Sequence, residues 1–148
     1  MMPNDYVKSL AVLLAWREEA VNGVNGCLGV LFVIRNRATA GWEQGDWFAI
    51  MTAKNQFSSM TVLGDGQTTK YPEMHDPVFN KLLQYVDGVY DGATQDTLTQ
   101  GAVYYADISS PYFNQTGWFA KTILANPTRF PSVAKIGTTT YFVDKETK

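Results

Sequence analysis

The chain is short of the side chains that metal and thiol chemistry rely on. Cysteine occurs once among 148 residues, at Cys27, and histidine once, at His75. One thiol excludes an intramolecular disulfide and a cysteine-rich zinc site. A zinc amidase or peptidase draws on two or three imidazoles and would find too few here. No metal and no cofactor is therefore expected. A Cys–His peptidase would have to join Cys27 to His75. Cys27, however, follows Gly26 at the head of an apolar run, where a small buried residue is the expected reading.

Charge of one sign is also lacking. Twelve Lys and Arg face fourteen Asp and Glu, for a net charge of −2 and a pI near 5.3. The basic residues are scattered, so no footprint for nucleic acid exists. The opening Met1-Met2-Pro3-Asn4-Asp5 has no basic n-region and no small-residue cleavage site, unlike a secretory signal. The apolar stretch from Leu10 to Trp16 is too short to span a bilayer, and Arg17 closes it. No transmembrane segment is expected, and a monomer is.

What is present is apolar and aromatic. Hydrophobic residues make up 45%, with eight Tyr, eight Phe and four Trp. Such a chain can bury a core without disulfide staples, and residues 1–148 read as a single domain. The aromatics suit deep packing first, and a groove that stacks on sugar rings second.

Apolar spacing predicts a helix over Tyr6–Ala20, stopped by the glycine–asparagine turn Val21 to Gly26. A second helix is expected over Cys27–Ala38, apolar enough from Val30 to Ile34 to be the central core helix. Asp46 can cap a short helix through Met51. Residues 55–74 read as loop. Asp76-Pro77 is an N-cap followed by proline at the first helical position, and helical spacing then continues to Gly88 or Gly92. Ala102–Ala106 suits a strand or a short helix, Trp118–Ala125 a short helix ended by Asn126-Pro127, and Thr138–Val143 a strand. The class expected is α+β, mainly helical, with a small β element and long loops that could wall a cleft.

Glu18 is the position with most chemical content. It lies at the C-terminal end of an apolar helix, after Trp16. Apolar surroundings and the negative end of a helix both favour a protonated carboxyl. Such a group can give its proton to a glycosidic oxygen. The plainer alternative is a solvated Glu18 paired with Arg17 or Arg35, with Glu19 as its solvated neighbour.

Trp16-Arg17-Glu18-Glu19-Ala20, then Gly26, then Val33-Ile34-Arg35-Asn36-Arg37, resembles the opening motif of the SleB-like cell-wall hydrolases. That family includes spore-cortex lytic enzymes and many phage proteins. It shows Glu-Ala-Arg-Gly-Glu, a glycine, an apolar helix and Asn-Arg, and its first Glu is the catalytic acid. Counted back without gaps from Asn36-Arg37, that Glu falls on Glu18. Asn55-Gln56-Phe57-Ser58 is similar to the family's Gln-Phe-Ser element, followed by Asp65-Gly66-Gln67. Ala102-Val103-Tyr104-Tyr105 is similar to its Ala-Leu-Tyr-Tyr segment, and Trp118 and Ile136 to Phe142 to its closing segment. Three places depart. Asn22 stands where the motif has its second Glu, Val21 where it has its Gly, and threonines (Thr138 to Thr140) where a histidine is common.

The resemblance implies a lysozyme-like fold with Glu18 at the floor of a cleft. It implies that Gln56, Phe57 and Ser58 border the N-acetylmuramic acid unit and that Tyr104, Tyr105 and Tyr141 line the glycan groove. Packing in the core is the competing role for each tyrosine. The implied partner is peptidoglycan, cleaved between N-acetylmuramic acid and N-acetylglucosamine. A muramidase needs a second carboxylate, for which Glu43, Asp65, Glu73 and Asp76 are the candidates. A lytic transglycosylase needs one acid, and this reading leads. Without a signal, such an enzyme is expected to be made in the cytoplasm and to reach the wall through a membrane lesion or in a phage particle. The rival from another class is a catalytically weak wall-binding or virion structural protein.

Overall fold

The structure, a computed structural model, describes residues 3–54, 56–62 and 64–146. It is α+β and mainly helical. Helix α1 spans Asn4–Glu19 and buries Val7, Ala11, Val12, Leu14 and Ala15. A single 3-10 turn, Ala20–Asn22, leads to Gly23 at φ 74°, and α2 runs Gly23–Thr39. The second helix thus begins four residues before the expected Cys27. One left-handed glycine is enough to reverse the chain, which leaves Asn25 and Gly26 free to be helical. Gly26 serves packing instead, since a Cβ there would stand 2.6 Å from the Asn22 Cβ. Only glycine lets α2 and the turn before it close this tightly.

From Cys27 to Ile34 every residue of α2 is buried except half-buried Leu28. This helix packs against α1, against α3 (Trp47–Thr52) and against α5 (Pro77–Tyr90). Each of its fully buried Leu, Ile or Val side chains contributes roughly 1.5–3 kcal/mol. Burial of the Cys27 thiol pushes its pKa up to about 12, so it is an inert core residue. The caps fall where the sequence puts them. Asp46 accepts from the Ala49 N–H at 3.2 Å and Asp76 from the Phe79 N–H at 2.8 Å.

Three further expectations need correction. Residues 55–74 are more than loop: α4 spans Ser58–Thr61 and a 3-10 turn spans Gly66–Thr69. Both elements are too short for apolar periodicity to reveal. Arg17 fastens this stretch to the end of α1 by donating to the carbonyls of Ser59, Thr68 and Lys70 at 2.9–3.0 Å. The sheet also has a strand more than expected. β1 (Tyr104–Ala106), β2 (Ser132–Ile136) and β3 (Thr139–Phe142) pair antiparallel in the order β1-β3-β2. An irregular register between Ser132 and Ala134 breaks the alternation that would mark β2 in the sequence. Its one sequence signal is the two-residue Gly137-Thr138 connection, with Gly137 at φ 58°. Within Trp118–Ala125, expected as a short helix, Phe119–Leu124 form a π-helical turn.

The sheet sits on α2 through Tyr141. The ring of this central-strand tyrosine is fully buried, and a Cβ at Gly29 would stand 2.3 Å from its hydroxyl oxygen. Gly→Ala within a helix is ordinarily favourable by up to about 1 kcal/mol. Here overpacking should outweigh that by costing about 1–3 kcal/mol. Gly29→Ala should lower the thermal midpoint, and Gly29→Ala with Tyr141→Phe should recover part of the loss. A Gly29→Ala protein more stable than the parent would show that the sheet does not rest on this contact.

Candidate active site

Glu18 occupies the last turn of α1 and is half-buried. It opens onto a cleft of about 690 Å³ that is also lined by Gln56, Phe57, Tyr104 and Tyr105. The Tyr105 hydroxyl donates to Glu18 Oε1 at 2.7 Å. Glu18 Oε2 has no protein partner among the described residues. Burial pushes the Tyr105 phenol well above its ordinary range, and the adjacent Glu18 carboxylate pushes it further the same way. The phenol therefore stays a hydrogen-bond donor at any ordinary pH.

Asn36 and Arg37 put Tyr105 there. Asn36 Nδ2 donates to the Ala102 carbonyl at 3.0 Å, and Arg37 Nε donates to the Val103 carbonyl at 2.8 Å. These bonds fix the two residues immediately before β1. Asn36 also donates to Asp96, whose carboxylate accepts the N–H groups of Leu98, Thr99 and Gly101 and so shapes the approaching turn. Burial raises the Asp96 pKa, but hydrogen bonds from Thr99, Asn36 and Gly101 outweigh it and hold the group below its ordinary value.

Neither candidate partner pairs with Glu18. Arg17 is spent on three carbonyls, while Arg35 donates to the Thr94 carbonyl and lies over the Phe32 ring. The expectation for Glu19 is reversed. It is the buried member of the pair, at 4% exposure, and accepts from Asn22 Nδ2 at 2.7 Å. Asn22 also donates to Thr139 Oγ1 at 3.3 Å and accepts from the Thr138 N–H at 3.4 Å. Two of the three places of departure, Asn22 and the threonine segment, are thus in contact with each other, while Val21 is exposed.

The remaining expectations divide. Gln56, Phe57, Tyr104 and Tyr105 join Glu18 at the cleft, whereas Ser58 and Tyr141 do not line it. Tyr141 belongs to the core: its hydroxyl reaches the Gly26 carbonyl at 3.4 Å, and burial raises its pKa. Gly29 supplies the hollow that draws it inward. Ser58 is exposed at the start of α4 and bonds to Asp65 instead. Asn55, first residue of that segment, lies outside the described residues. None of the four candidate second carboxylates lines the cleft. Asp65 and Asp76 are N-caps, Glu73 is exposed, and Glu43 sits in a tight turn at φ 48°.

Four further residues line the cleft that the sequence motifs do not assign to the site: Arg37 and Trp118, which belong to motifs, and Lys54 and Phe119, which do not. Trp118 is 60% exposed and packs on Tyr104 at 5.9 Å between ring centroids. An exposed tryptophan beside a cleft offers a flat apolar face of the kind that sugar rings stack on. Its signal in the sequence is weak, because one aromatic next to a glycine looks the same in a core. No protein-family model, curated protein or solved structure matches the chain.

Burial raises the Glu19 pKa above its ordinary value; hydrogen bonds from Thr139 and Asn22 oppose the rise, and the Glu18 and Asp107 charges add to it. The folded state therefore holds this proton more tightly than the unfolded chain. Its stabilising effect is complete below the unfolded value and is lost as pH rises through the folded one. Glu19→Gln removes that loss and keeps an acceptor for Asn22. Thermal unfolding should find the variant at least as stable as the parent at neutral pH. Its advantage should shrink as pH falls toward the ordinary glutamate range, about pH 4. A variant much less stable at neutral pH would mean that the charged carboxylate is what the Asn22–Thr139 contact needs.

Proposed function

We propose that the chain cleaves peptidoglycan glycan strands between N-acetylmuramic acid and N-acetylglucosamine, as a lytic transglycosylase with Glu18 as its single acid and base. The observation that carries this reading is the make-up of the cleft. Glu18 is the one carboxylate among its described lining residues, one of its oxygens is held by Tyr105, and the other has no protein partner among them. The resemblance to SleB-like hydrolases and the lysozyme-like arrangement it implies belong to the same proposal.

The chemistry needs no second acid. Glu18 gives its proton to the glycosidic oxygen as the bond to the muramic anomeric carbon breaks. The leaving sugar departs as an alcohol. The muramic 6-hydroxyl then attacks that carbon and passes its own proton to the Glu18 carboxylate. A 1,6-anhydro ring forms, the acid is restored, and no water is consumed. Holding the hydroxyl in place makes the attack intramolecular, worth on the order of 7 kcal/mol over a loosely held nucleophile. Tyr105 orients the carboxyl through both transfers, while Trp118 and Tyr104 offer ring faces to the sugars.

Glu18→Gln preserves size and helix propensity and removes the transferable proton. Release of soluble fragments from purified peptidoglycan should fall at least about a hundredfold, whereas Glu19→Gln should change it little. Exchange of the two phenotypes would move the acid to Glu19. Full activity in both variants would remove Glu18 from the acid role, and no release by the parent protein would end the enzyme reading and leave a wall-binding or virion structural protein.

A further inference from the structure

Arg37 is a buried cation of the cleft wall that the acid chemistry leaves unused. It is 4% exposed, yet it contributes to the lining. Its bonds go to neutral acceptors only, Nε to the Val103 carbonyl and Nη1 to Gln56 Oε1 at 3.3 Å. Nη2 has no acceptor, and no carboxylate pairs with the group, among the described residues. The rings of Trp42, Phe57 and Tyr104 surround the guanidinium at 4.7, 5.1 and 5.7 Å from its central carbon.

Neutral rings and carbonyls restore only part of the hydration that a buried cation loses. Burial lowers the Arg37 pKa to about 10, which leaves it charged at neutral pH. Elsewhere in the protein Arg129 meets the Asp144 carboxylate with two nitrogens. Arg37 has no such counterpart among the described residues of its own chain. A desolvated guanidinium with an open N–H on a cleft wall is suited to a planar anion brought by a ligand, since guanidinium and carboxylate match in geometry.

We infer that Arg37 seats a carboxylate carried on the muramic side chain of the substrate, and so sets a preference for acidic over neutral glycan. This rests on reading the cleft as a peptidoglycan site. Two sources can supply the carboxylate: the lactyl group of a peptide-free strand, or the stem peptide where the lactyl group is amidated. Arg37 acts on binding, not on the proton transfers at Glu18.

The test is equilibrium binding by the Glu18→Gln protein, which holds glycan without turning it over. Four ligands of equal length are compared: a chitin oligosaccharide, a peptide-free peptidoglycan strand, that strand with its lactyl carboxylates converted to methylamides, and a strand bearing stem peptides. At low salt the best acidic strand should bind on the order of tenfold or more tighter than the methylamide, with a gap that narrows as salt rises. Tight binding of the peptide-free strand names the lactyl group as source; tight binding of the stem-bearing strand alone names the peptide. Adding Arg37→Lys should keep part of the gap and Arg37→Gln should close it. Where a variant of Arg37 fails to fold, Lys54→Gln keeps the question decidable: the acid-over-methylamide gap should survive replacement of the other cation among the cleft's described lining residues, and its loss there would overturn the assignment to Arg37. Equal binding of the methylamide and both acidic strands, all tighter than chitin, would overturn the inference while leaving the glycan reading in place. No strand binding above chitin would overturn both.

Discussion

The hydrogen bond from Tyr105 to Glu18 is the contact on which the cleft depends, because it joins the helical part of the molecule to the sheet at the one carboxylate among the cleft's described lining residues. Glu18 comes from the end of α1, and Tyr105 from an edge strand of a three-stranded sheet. Neither element sets their separation alone. Asn36 and Arg37, at the end of α2, hold the backbone just ahead of β1, while Tyr141 seats the central strand on the same helix at Gly29. Helix α2 is therefore the common reference for both partners. Burial of its Cys27–Ile34 stretch, complete but for Leu28, makes it stiff enough to serve as one.

The Glu19–Asn22–Thr139 contact is a second fastening between the same two parts. It ties the turn after α1 to the start of β3. Gly26 and Gly137 make room for it; a Cβ at Gly137 would stand 2.1 Å from Asn22 Oδ1. An amide opposite a threonine can serve as donor and acceptor at once, which a second carboxylate in the place of Asn22 could not do beside buried Glu19. Asn22 and the Thr138–Thr139 segment thus form one self-consistent polar contact, and it involves Glu19 rather than Glu18.

The long helices are legible in the sequence because their apolar spacing and the Asp46 and Asp76 caps are local signals. Glu18, Gln56, Phe57, Tyr104 and Tyr105 are legible as a set only through ordered short motifs, since nothing local tells a strand tyrosine in a groove from one in a core. Tyr141 shows the cost of that ambiguity. It has the same residue type as Tyr105 and sits on the neighbouring strand, but Gly29, far away in the chain, decides its burial. Glu19 escapes for a related reason. Its environment depends on Thr139, which no helical pattern near Glu19 can reveal. Arg37 is legible as half of an Asn-Arg motif but not as a cleft residue, because the aromatic rings around it come from three separate segments.

The central claim is that one carboxylate suffices, so the substrate's own hydroxyl takes the place of water. Mass spectrometry of the fragments released from purified peptidoglycan addresses this directly. A 1,6-anhydromuramic end is lighter by one water than the reducing end left by hydrolysis, so the two products separate unambiguously. Fragments ending in 1,6-anhydromuramic acid are the predicted result. Reducing ends alone would contradict it and would require a second carboxylate to reach the cleft, with Asp65 and Glu73 the first to replace.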